Sequence, residues 1–309
     1  MGEFEQNVEQ HIFRLHRQLR DKTYKHGPYY GFWIRDPKLR RIHKAIVKDR
    51  VLHHAIFTVL NPIFEPTFIP TSFSCRIGKG THKGVEKLAE MLRAESANNT
   101  KPCYALKCDV RKFFDSVNHE ILVGILQRKI KDADAMWLLK GIIDSFSDEK
   151  GIPIGNLTSQ LFANLYMNEF DAFVKQEMKV RHYARYTDDF IIVSRDRKYL
   201  EDLLPVMRNF LRDRLALELH PNKVTIRKFI QGIDFLGYVV LPGHISVRTK
   251  TRHRMFRKLN ERVEQYKKGA IKEETLFGSL RSYMGVLSHA DALQLEEELK
   301  NNFWFRLKE

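Results

Sequence analysis

Three observations predict an α+β fold for this chain. Its 309 residues are 43% hydrophobic and 29% charged, which is typical of a globular protein and argues against a disordered, collagen-like or coiled-coil chain. Long segments with apolar residues at helical spacing alternate along the chain with shorter segments that have the pattern of strands. Two of the strand-like segments are joined by an acidic dipeptide, an arrangement typical of a β-hairpin.

The first half of the chain predicts a helix, then a strand that leads into a second helix. Residues 43–60 have helical spacing, and Pro62 is expected to end that helix. Residues 103–110 alternate like a strand, and residues 117–130 return to helical spacing. Asp109 is therefore expected at the end of a strand that feeds a helix.

The second half predicts a long buried helix over residues 157–178, which follows a turn rich in glycine. Next comes the predicted hairpin, with Asp188 and Asp189 at its tip. The remaining predicted elements are a helix over about 197–216 that contains Pro205, strands near 224–229 and 234–241, a turn at Pro242-Gly243, and a basic helical segment over about 251–309. The last of these segments is the best candidate for a small second domain.

The charge of the chain favours a polyanionic partner. There are 53 Lys and Arg residues against 38 Asp and Glu residues, a net charge of +15 with histidines neutral. Residues 11–54 contain twelve Lys or Arg against three Asp, and residues 248–268 contain nine against two Glu, with Phe256 and Tyr266 among them. One such run is usually a solvated helix face. Two of them favour a nucleic-acid channel, because lysine and arginine pair with phosphates and aromatic rings stack on bases.

The sequence argues against a disulfide framework, a zinc site and a membrane span. The three cysteines form no Cys-x-x-Cys pair. The first ten residues lack the basic and apolar regions of a secretory signal, and the longest uncharged run, residues 151–168, is too polar to cross a hydrocarbon layer. A soluble protein of the reducing cytoplasm is therefore expected, with no membrane partner.

Three carboxylates are candidates for chemistry: Asp109, Asp188 and Asp189. If the hairpin pairs beside the strand that ends at Asp109, two or three carboxylates converge, and such like charges are costly unless a cation lies between them. Oxygen ligands without nearby histidine or cysteine favour Mg²⁺ or Mn²⁺. Two such ions stabilise the attacking and leaving oxygens of an in-line phosphoryl displacement, the reaction of polymerases. The alternative for an isolated Asp-Asp pair is an ordinary turn.

Phe114 lies five residues after Asp109 and is a candidate for selecting the sugar of the substrate. An aromatic side chain at this point would close over the sugar of an incoming nucleotide and exclude a 2′-hydroxyl, which favours DNA over RNA synthesis. The alternative is core packing, which is the interpretation preferred for Phe113.

Four segments occur in an order that resembles the successive motifs of reverse transcriptases. They are Asp109-Val-Arg-Lys-Phe-Phe-Asp-Ser-Val, Gly151-Ile-Pro-Ile-Gly-Asn-Leu-Thr-Ser-Gln160, Tyr186-Thr-Asp-Asp189 and Phe235-Leu-Gly-Tyr238. A Tyr-x-Asp-Asp box alone is a weak signal, but four motifs in order at sensible spacings are a strong one. The resemblance covers nearly the whole chain, from about Asp36 to the C-terminal helices.

The resemblance implies a right-hand polymerase fold, an α+β architecture with fingers, an antiparallel-sheet palm and a short helical thumb. It implies fingers over residues 1–102, a palm over 103–247 and a basic thumb over 248–309. The implied activity is RNA-directed DNA synthesis with two Mg²⁺ ions, with Mn²⁺ as the alternative. Its substrates are deoxynucleoside triphosphates, an RNA template and a DNA or RNA primer.

The resemblance also implies roles for individual residues. Asp109 and Asp188 are the implied principal metal ligands, with Val110 beside the first and Asp189 as the third carboxylate. The implied nucleotide-binding residues are Arg76, Phe114, Ile154, Gly155, Gln160 and Lys223, and the implied primer-gripping hairpin is Phe235, Leu236, Gly237 and Tyr238. The structural alternatives are a surface arginine for Arg76, a solvated turn residue for Lys223 and core packing for the hairpin. His82 has no carboxylate or cysteine partner in sequence, so a structural or phosphate-contacting role is expected.

The segment around Ile154 indicates one kind of reverse transcriptase. Most related families carry Pro-Gln-Gly and end this segment in Ser-Pro, whereas this chain has Pro153-Ile154-Gly155 and ends in Ser159-Gln160. That pattern is similar to the reverse transcriptases of diversity-generating retroelements, which copy a template-repeat RNA with errors at adenines. A glutamine can hydrogen-bond the nascent pair whereas Ile154 offers only shape, so low fidelity is expected, especially opposite adenine. The alternative is a packing residue in an accurate enzyme.

Partners and rival functions follow from the same resemblance. A short thumb is expected to hold primer and template weakly, and the family implies a small basic accessory protein and a structured RNA as partners. The rival functions are an antiphage or otherwise domesticated reverse transcriptase without a mutagenic role, an RNA-dependent RNA polymerase, against which Phe114 counts, and a non-catalytic RNA-binding protein on the same scaffold. The sequence names neither the RNA, the target gene, the priming mode nor the oligomeric state.

Overall fold

The computed structural model describes residues 6–36, 38–147 and 149–309. The chain forms two compact units, each assembled from separate stretches of sequence. The first unit comprises Met1–Ile77, Cys108–Phe190 and Asp202–Val224, and the second comprises Gly78–Lys107, Ile191–Glu201 and Thr225–Glu309. The predicted domain boundaries after residues 102 and 247 stay a prediction.

The secondary structure mixes helices with short antiparallel strands, numbered here in chain order. The α-helices are α1 (Val8–Arg20), α2 (Val47–Phe64), α3 (Thr81–Glu95), α4 (Phe113–Ser116), α5 (His119–Lys129), α6 (Ala133–Ile143), α7 (Leu157–Ala172), α8 (Arg197–Leu215), α9 (Thr249–Lys267), α10 (Glu273–Leu287) and α11 (Leu293–Lys308). The β-strands are β1 (Tyr29–Ile34), β2 (Arg40–Ala45), β3 (Tyr104–Asp109), β4 (His182–Tyr186), β5 (Asp189–Ser194), β6 (Thr225–Lys228), β7 (Ile233–Phe235), β8 (Tyr238–Leu241) and β9 (His244–Val247).

The N-terminal part of the first unit contains a hairpin that the sequence patterns did not indicate. Strands β1 and β2 pair antiparallel, with Tyr29 opposite Ala45. The prediction of a helix over residues 43–60 was wrong at both ends. Residues 43–45 belong to β2, and Pro62 lies inside α2, which continues to Phe64. A proline removes one hydrogen bond from a helix, so near a C-terminal end it need not stop the last turn.

Helix α7 confirms the predicted long buried helix of the first unit. Leu161, Phe162, Leu165 and Phe170 are each no more than 2% exposed. The helix continues into a π-helical turn at Phe173–Glu177. Because its polar residues are buried together with its apolar ones, their side chains need partners inside the protein.

Strands β3 to β6 form a four-stranded sheet in the order β4-β5-β3-β6. Strand β3 pairs antiparallel with β6, with Tyr104 opposite Lys228 and Lys107 opposite Thr225. The predicted strand over residues 103–110 and the predicted hairpin are both confirmed. Their positions put the C-terminal end of β3 beside the beginning of β5.

In the second unit, the predicted strand over residues 234–241 is in fact a tight hairpin. Strands β7, β8 and β9 form an antiparallel meander, and Phe235 lies opposite Tyr238. Leu236 and Gly237 therefore form a two-residue turn, with φ angles of +51° and +93°. Both residues lie in the left-handed region that such tight hairpin turns require, which an alternation pattern does not show.

The C-terminal helices of the second unit have a hydrophobic core of their own. Helices α9, α10 and α11 pack around eight buried residues: Met255, Leu259, Val263, Leu276, Leu280, Leu287, Leu299 and Phe303. The helical prediction for residues 251–309 is confirmed.

The sequence predicts neither a membrane-spanning helix nor a disulfide framework. Across the described ranges, no helix combines the length and the apolar character that crossing a membrane requires. All three cysteines are free thiols, with Cys75 exposed and the other two buried.

Candidate active site

The two principal candidate carboxylates lie at neighbouring strand ends. Asp109 is the last residue of β3 and is 8% exposed, while Asp188 occupies the turn that precedes β5. The backbone N–H of Val110 donates to the carbonyl oxygen of Asp188 at 3.2 Å. The β4–β5 hairpin is therefore tied to the end of β3 at the point where the carboxylates stand.

The electrostatics of Asp188 reflect this crowding of negative charge. Burial, together with the charges of Asp109 and Asp189, raises the pKa of Asp188 to about 6, and Lys223 opposes the shift. Asp189 is the first residue of β5 and is half-buried. The structure thus brings Asp109 and Asp188 into one electrostatic cluster to which Asp189 contributes.

Lys223 belongs to the same cluster. Its Nζ donates to Oδ1 of Asp109 at 2.7 Å, and its side chain is 42% exposed. The surrounding turn is held by backbone hydrogen bonds, from Lys223 to His220 at 3.2 Å and from His220 to Asp109 at 2.8 Å. The alternative of a merely solvated lysine is therefore wrong, because the ammonium group is an ion-pair partner of a candidate catalytic carboxylate.

The donor set fits a hard divalent cation in chemistry, although it does not form a three-carboxylate cage. Among residues 6–36, 38–147 and 149–309, no three His, Cys, Asp or Glu side chains form a group that could hold a metal ion. The ammonium of Lys223 lies at Asp109 in this arrangement. Asp109, Asp188 and the Val110 carbonyl group offer oxygen ligands only, which is the set that Mg²⁺ prefers. The raised pKa of Asp188 indicates negative charge that a cation would compensate.

Phe113 and Phe114, which follow β3, differ in burial. Phe113 is 2% exposed and packs edge-on against Tyr166, with ring centroids 6.5 Å apart. Phe114 is half-buried, with its ring centroid 5.4 Å from that of Phe113. The core interpretation of Phe113 is confirmed. Phe114 keeps part of its ring accessible five residues from Asp109, so the sugar-gate role stays a prediction.

The segment from Gly151 to Asn156 is fixed on its first side by the turn that carries Phe114. Ile152 donates its N–H to the carbonyl of Phe114 at 2.8 Å, and Gly151 donates to the carbonyl of Val117 at 2.7 Å. The buried ring of His119 hydrogen-bonds the carbonyl of Gly151 through Nε2 at 2.7 Å. The beginning of this segment is thus locked to the residues after β3.

Strand β2 fixes the other side of the same segment. The N–H of His43 donates to the carbonyl of Ile154 at 2.8 Å, and the side chain of Asn156 donates to the carbonyl of His43 at 2.8 Å. Gly155 has a φ of +113°, and a Cβ there would lie 2.6 Å from Cγ2 of Ile42, so only glycine fits. Ile154 is half-buried, and its backbone is held between β2 and the Phe114 turn.

Gln160 lies in the first turn of α7 with an exposed side chain. Its backbone N–H donates to the carbonyl of Asn156 at 3.3 Å, which links it to the end of the Ile154 segment. The side chain is therefore available to a ligand, and its nucleotide-binding role stays a prediction.

Arg76 lies in the protein interior, and its predicted nucleotide-binding role stays a prediction. Its side chain is 6% exposed, so it is not a surface arginine. Nε and Nη2 donate to Oε1 of Glu65 at 2.9 and 2.8 Å, and Nη1 donates to the carbonyls of Ile69 at 2.7 Å and Ser72 at 2.8 Å. The guanidinium closes the loop after α2, and a triphosphate contact would require its release from Glu65. The sequence could not show this, because the partners are mostly backbone carbonyls.

The predicted primer-gripping residues form the β7–β8 turn of the second unit. Phe235 and Tyr238 are buried, and the hydroxyl of Tyr238 donates to the carbonyl of Val286 at 2.9 Å. His82 packs edge-on against Tyr238 and stacks on His289 with ring centroids 3.5 Å apart. The two aromatic residues support the core alternative, while Leu236 and Gly237 form the accessible part of the hairpin turn.

Sequence reasoning missed a buried network beneath the Asp188 turn. Arg185 and Asp171 are both fully buried and form an ion pair, with 2.6 Å between Nη2 and Oδ2. Two signals could have found it: a charged residue inside the strand-like run before Asp188, and an acidic residue on a helix that is apolar on most sides.

A second missed feature is the exposed β1–β2 hairpin, which forms part of the basic segment over residues 11–54. Tyr30 is 64% exposed and Trp33 is 60% exposed, and the strand opposite contributes Arg40, Arg41 and Lys44. Exposed aromatic rings between cations suit the stacking of bases and the pairing of phosphates.

Comparison with known proteins agrees with this arrangement. The model of the family "Reverse transcriptase (RNA-dependent DNA polymerase)" matches residues 34–240. Protein YkfC of Escherichia coli is 25% identical over 256 residues, covering 70% of this chain and 65% of that protein. The group II intron-encoded protein LtrA of Lactococcus lactis is 23% identical over 303 residues, covering 74% of this chain and 49% of that protein. The chain thus spans between about half and two thirds of the length of these relatives.

Solved structures show the fold. The apo telomerase of Candida tropicalis aligns with a TM-score of 0.57 at 10% identity, covering 92% of this chain and 63% of that one. A C-terminally truncated form of apo telomerase from the same organism aligns with a TM-score of 0.54 at 11% identity, over 71% of this chain and 55% of that one. These likenesses confirm the expected α+β right-hand polymerase fold. Since the family model covers the segment that contains every candidate catalytic residue, the chain belongs to the reverse transcriptase family.

Proposed function

We propose that this chain is an RNA-directed DNA polymerase that extends a primer on an RNA template. The observation that supports the proposal most strongly is the placement of Asp109 and Asp188 at adjoining strand ends, joined by the hydrogen bond from Val110, with Lys223 in an ion pair with Asp109. A cluster of one buried carboxylate, one half-buried carboxylate and one lysine is costly for a purely structural site. It suits a reaction in which phosphate charge enters and leaves.

The reaction is a nucleotidyl transfer in which the chain positions both reacting ends. The primer 3′-oxygen loses its proton and bonds to the α-phosphorus of the nucleotide, while the bond from that phosphorus to the pyrophosphate oxygen breaks. Asp109, Asp188 and the Val110 carbonyl would hold divalent ions, which when bound stabilise the attacking and leaving oxygens. Lys223, held within reach by Asp109, donates the proton that the departing pyrophosphate requires.

The half-buried Phe114 supports the choice of deoxynucleotides. Its backbone carbonyl accepts the hydrogen bond from Ile152, so the backbone of the turn that carries the ring is fixed. A fixed ring beside the reacting strand end gives a 2′-hydroxyl no room, whereas a loose ring would yield to it. RNA synthesis is therefore disfavoured.

Error-prone copying opposite template adenines is the finer proposal, with the chain serving a diversity-generating retroelement. The side chain of Ile154 offers no hydrogen bond, while its backbone is held by His43 at 2.8 Å. Loss of one polar contact to the nascent pair lowers discrimination by about 1 to 3 kcal/mol, which is tenfold to a hundredfold. Because the backbone of Ile154 is fixed and its side chain cannot donate or accept a hydrogen bond, only the shape of this side chain can discriminate between correct and incorrect base pairs.

The exposed cations support RNA and primer as partners, together with a small basic accessory protein and a structured RNA. The net charge of +15 and the aromatic and basic residues of the β1–β2 hairpin suit a polyanion rather than a neutral surface. A second candidate function, that of a domesticated reverse transcriptase without a mutagenic role, is favoured by the similarity to an intron-encoded protein and to the nuclear intron maturase 1 of Arabidopsis thaliana.

Primer extension on an adenine-containing RNA template with Mg²⁺ tests these proposals. We expect a DNA product with errors concentrated opposite adenines, its loss in Asp188→Asn, and fewer errors in Ile154→Gln. Accurate product from the unmodified chain would favour the domesticated enzyme. Ribonucleotides incorporated as fast as deoxynucleotides would indicate an RNA polymerase, and biological activity that survives Asp188→Asn would indicate a non-catalytic RNA-binding protein.

A further inference from the structure

The turn that carries Asp188 has an unfavourable backbone conformation. Thr187, the residue before Asp188, has a φ of +55°. A β-branched residue rarely adopts this left-handed conformation, because its side chain crowds the backbone. Such a conformation persists only where the surrounding structure enforces it, and it is typical of functional sites.

Two side-chain contacts hold Thr187 in this conformation. Nη1 of Arg185 donates to the carbonyl oxygen of Thr187 at 2.9 Å. The hydroxyl of Thr187 donates to Oγ of Ser74 at 2.6 Å. Both the backbone and the side chain of the strained residue are therefore fixed from the protein interior.

Arg185 is itself held by a complete set of acceptors. Nε and Nη2 donate to the two carboxylate oxygens of Asp171 at 2.8 and 2.6 Å. Nη2 also donates to Oγ of Ser72 at 3.1 Å, and Nη1 to Oδ1 of Asn164 at 3.3 Å. With the bond to Thr187, every N–H of the guanidinium has a partner.

The pair is poorly explained by stability alone. Arg185 and Asp171 are each 0% exposed. Removing two charges from water offsets most of their attraction, and replacing such a pair by apolar residues of similar size often leaves stability unchanged or raises it. The five donors of a guanidinium, in contrast, fix directions, which is what a strained turn needs.

We propose that Arg185 and Asp171 are positioning residues that hold Thr187 in its left-handed conformation and so aim the carboxylate of Asp188 at the reacting phosphate. The consequence extends across the strands, because the carbonyl of Asp188 accepts the hydrogen bond from Val110, the residue after Asp109. If Thr187 relaxes, Asp188 turns, this bond weakens and the two carboxylates separate. The inference rests on the proposed polymerase function for its catalytic meaning, but its geometric part does not.

The test first replaces Arg185 and Asp171 by apolar residues. A second change then relieves the backbone strain at Thr187 that this pair opposes. The double variant Arg185→Met with Asp171→Leu is expected to fold, with a urea midpoint lowered only modestly, because the buried Tyr183 hydroxyl loses its acceptor on Asp171. Its primer-extension rate is expected to fall about 100-fold, since a displacement of about 1 Å of a reacting group costs that much. Hydrogen exchange of the Val110 amide, followed by mass spectrometry, should become faster.

Addition of Thr187→Gly to this double variant separates positioning from packing. Glycine adopts positive φ without a steric cost, so the turn no longer needs to be enforced. We expect at least about tenfold recovery of the rate and slower exchange at Val110, because the productive geometry is restored in part. A loss caused only by a damaged core would not respond to this change.

The matched control is the ion pair of Arg128 with Glu169, 2.8 Å apart, which joins α5 to α7 outside the candidate site. Arg128→Met with Glu169→Leu removes the same two charges from a partly exposed position and should leave the rate and the Val110 exchange unchanged. Should the buried double variant fail to fold, Arg185→Lys in the otherwise unmodified chain replaces it. Lysine keeps the positive charge opposite Asp171 but lacks the fork of donors that reaches Asp171 and the Thr187 carbonyl together, and we expect about a tenfold slower rate.

The proposal is overturned if the buried double variant folds and keeps both its rate and its Val110 exchange, or if Thr187→Gly restores neither. An Arg185→Lys variant with unchanged rate and exchange overturns it as well. If the unmodified chain makes no DNA, the polymerase proposal fails, and the exchange measurements decide the positioning proposal by themselves.

Discussion

Two carboxylates of the first unit are fully buried, and their partners differ in kind. Asp171 faces Arg185, whose guanidinium binds both carboxylate oxygens, and Tyr183, whose hydroxyl donates at 2.6 Å. Asp49 has no arginine partner among the described residues, and the ammonium of the partly exposed Lys48 lies 3.5 Å from its Oδ1. It accepts hydrogen bonds from the Tyr24 hydroxyl and the Gly27 N–H, both at 2.8 Å.

Histidines complete the second group, which we call the Asp49 cluster and define as Asp49, Tyr24, His26 and His53. His26 lies 3.6 Å from Asp49 through Nδ1, and its Nε2 is 3.3 Å from Nε2 of His53. Burial and the neighbouring His26 together lower the pKa of His53 to about 4. Burial also lowers the pKa of His26.

The two carboxylates differ in the groups around them: Asp171 faces an arginine, which stays charged, whereas Asp49 lies beside histidines, which titrate. Burial opposes the charged form of Arg185, but Asp171 outweighs it and raises the pKa of the guanidinium. The support of the Asp188 turn is therefore insensitive to pH in the range where proteins work. The Asp49 cluster, which anchors the segment before β1 to α2, contains neutral histidines that acid will protonate.

The largest effect is expected from breaking the permanent pair on one side only. Arg185→Met leaves the carboxylate of Asp171 buried without its counter-charge, which costs about 3 to 5 kcal/mol of the free energy of unfolding. Urea unfolding measures this loss. A loss below about 1 kcal/mol would contradict the assignment of Arg185 as the counter-charge of Asp171.

Replacing Tyr24 or Tyr183 by phenylalanine is expected to lower the free energy of unfolding by less than Arg185→Met does. Tyr24→Phe removes a direct donor from Asp49 and should cost about 1 to 3 kcal/mol, because the cluster has no arginine to compensate. Tyr183→Phe should cost about 1 kcal/mol or less, because Nε of Arg185 donates to the same oxygen of Asp171. The reverse order in urea unfolding would contradict the assignment of partners.

A change of pH is expected to have a smaller effect than Arg185→Met. His53 has a pKa of about 4 in the folded chain and about 6.5 when unfolded, so the unfolded chain binds more protons between these values. Stability is therefore fully present above about pH 6.5 and is lost as the pH falls toward 4. Between pH 7 and pH 5 we expect a loss of about 1 to 2 kcal/mol in the unmodified chain, measured by urea unfolding.

His53→Gln is the control for that measurement, since glutamine does not titrate. Its own stability is lower at pH 7, but its dependence on pH should be clearly weaker. Equal dependence in both proteins would show that a group other than His53 controls the loss of stability in acid. The Asp188 carboxyl is not such a group, because its raised pKa favours the folded state at low pH.

The sequence predicted the elements that stand out as apolar segments bounded by turn residues. The strand that ends at Asp109, helix α5, helix α7 and the hairpin with Asp188 are all such segments. Order along the chain then sufficed to propose that the carboxylates of Asp109 and Asp188 meet. These features depend on local preference and on the burial of apolar side chains.

The features that the sequence did not predict depend on backbone partners or on long-range pairs. The β1–β2 hairpin has exposed residues on nearly every position of β1, so it lacks an alternating pattern. Arg76 is bound mainly by carbonyl groups, which no side-chain pattern identifies. The Leu236-Gly237 turn requires a positive φ at Leu236, which propensity disfavours and the pairing of β7 with β8 imposes.

The way in which the Ile154 segment is attached affects how the enzyme can evolve. The hydrogen bonds of Ile152 and Ile154 on either side of Pro153 use backbone atoms, from Ile152 to Phe114 and from His43 to Ile154. The side chain at residue 154 takes part in neither, so it can be exchanged without loosening the segment. Gly155, which faces Ile42, has no such freedom. Under the proposed role of Ile154 in fidelity, a change of this one side chain would alter copying accuracy while the framework that presents it stays intact.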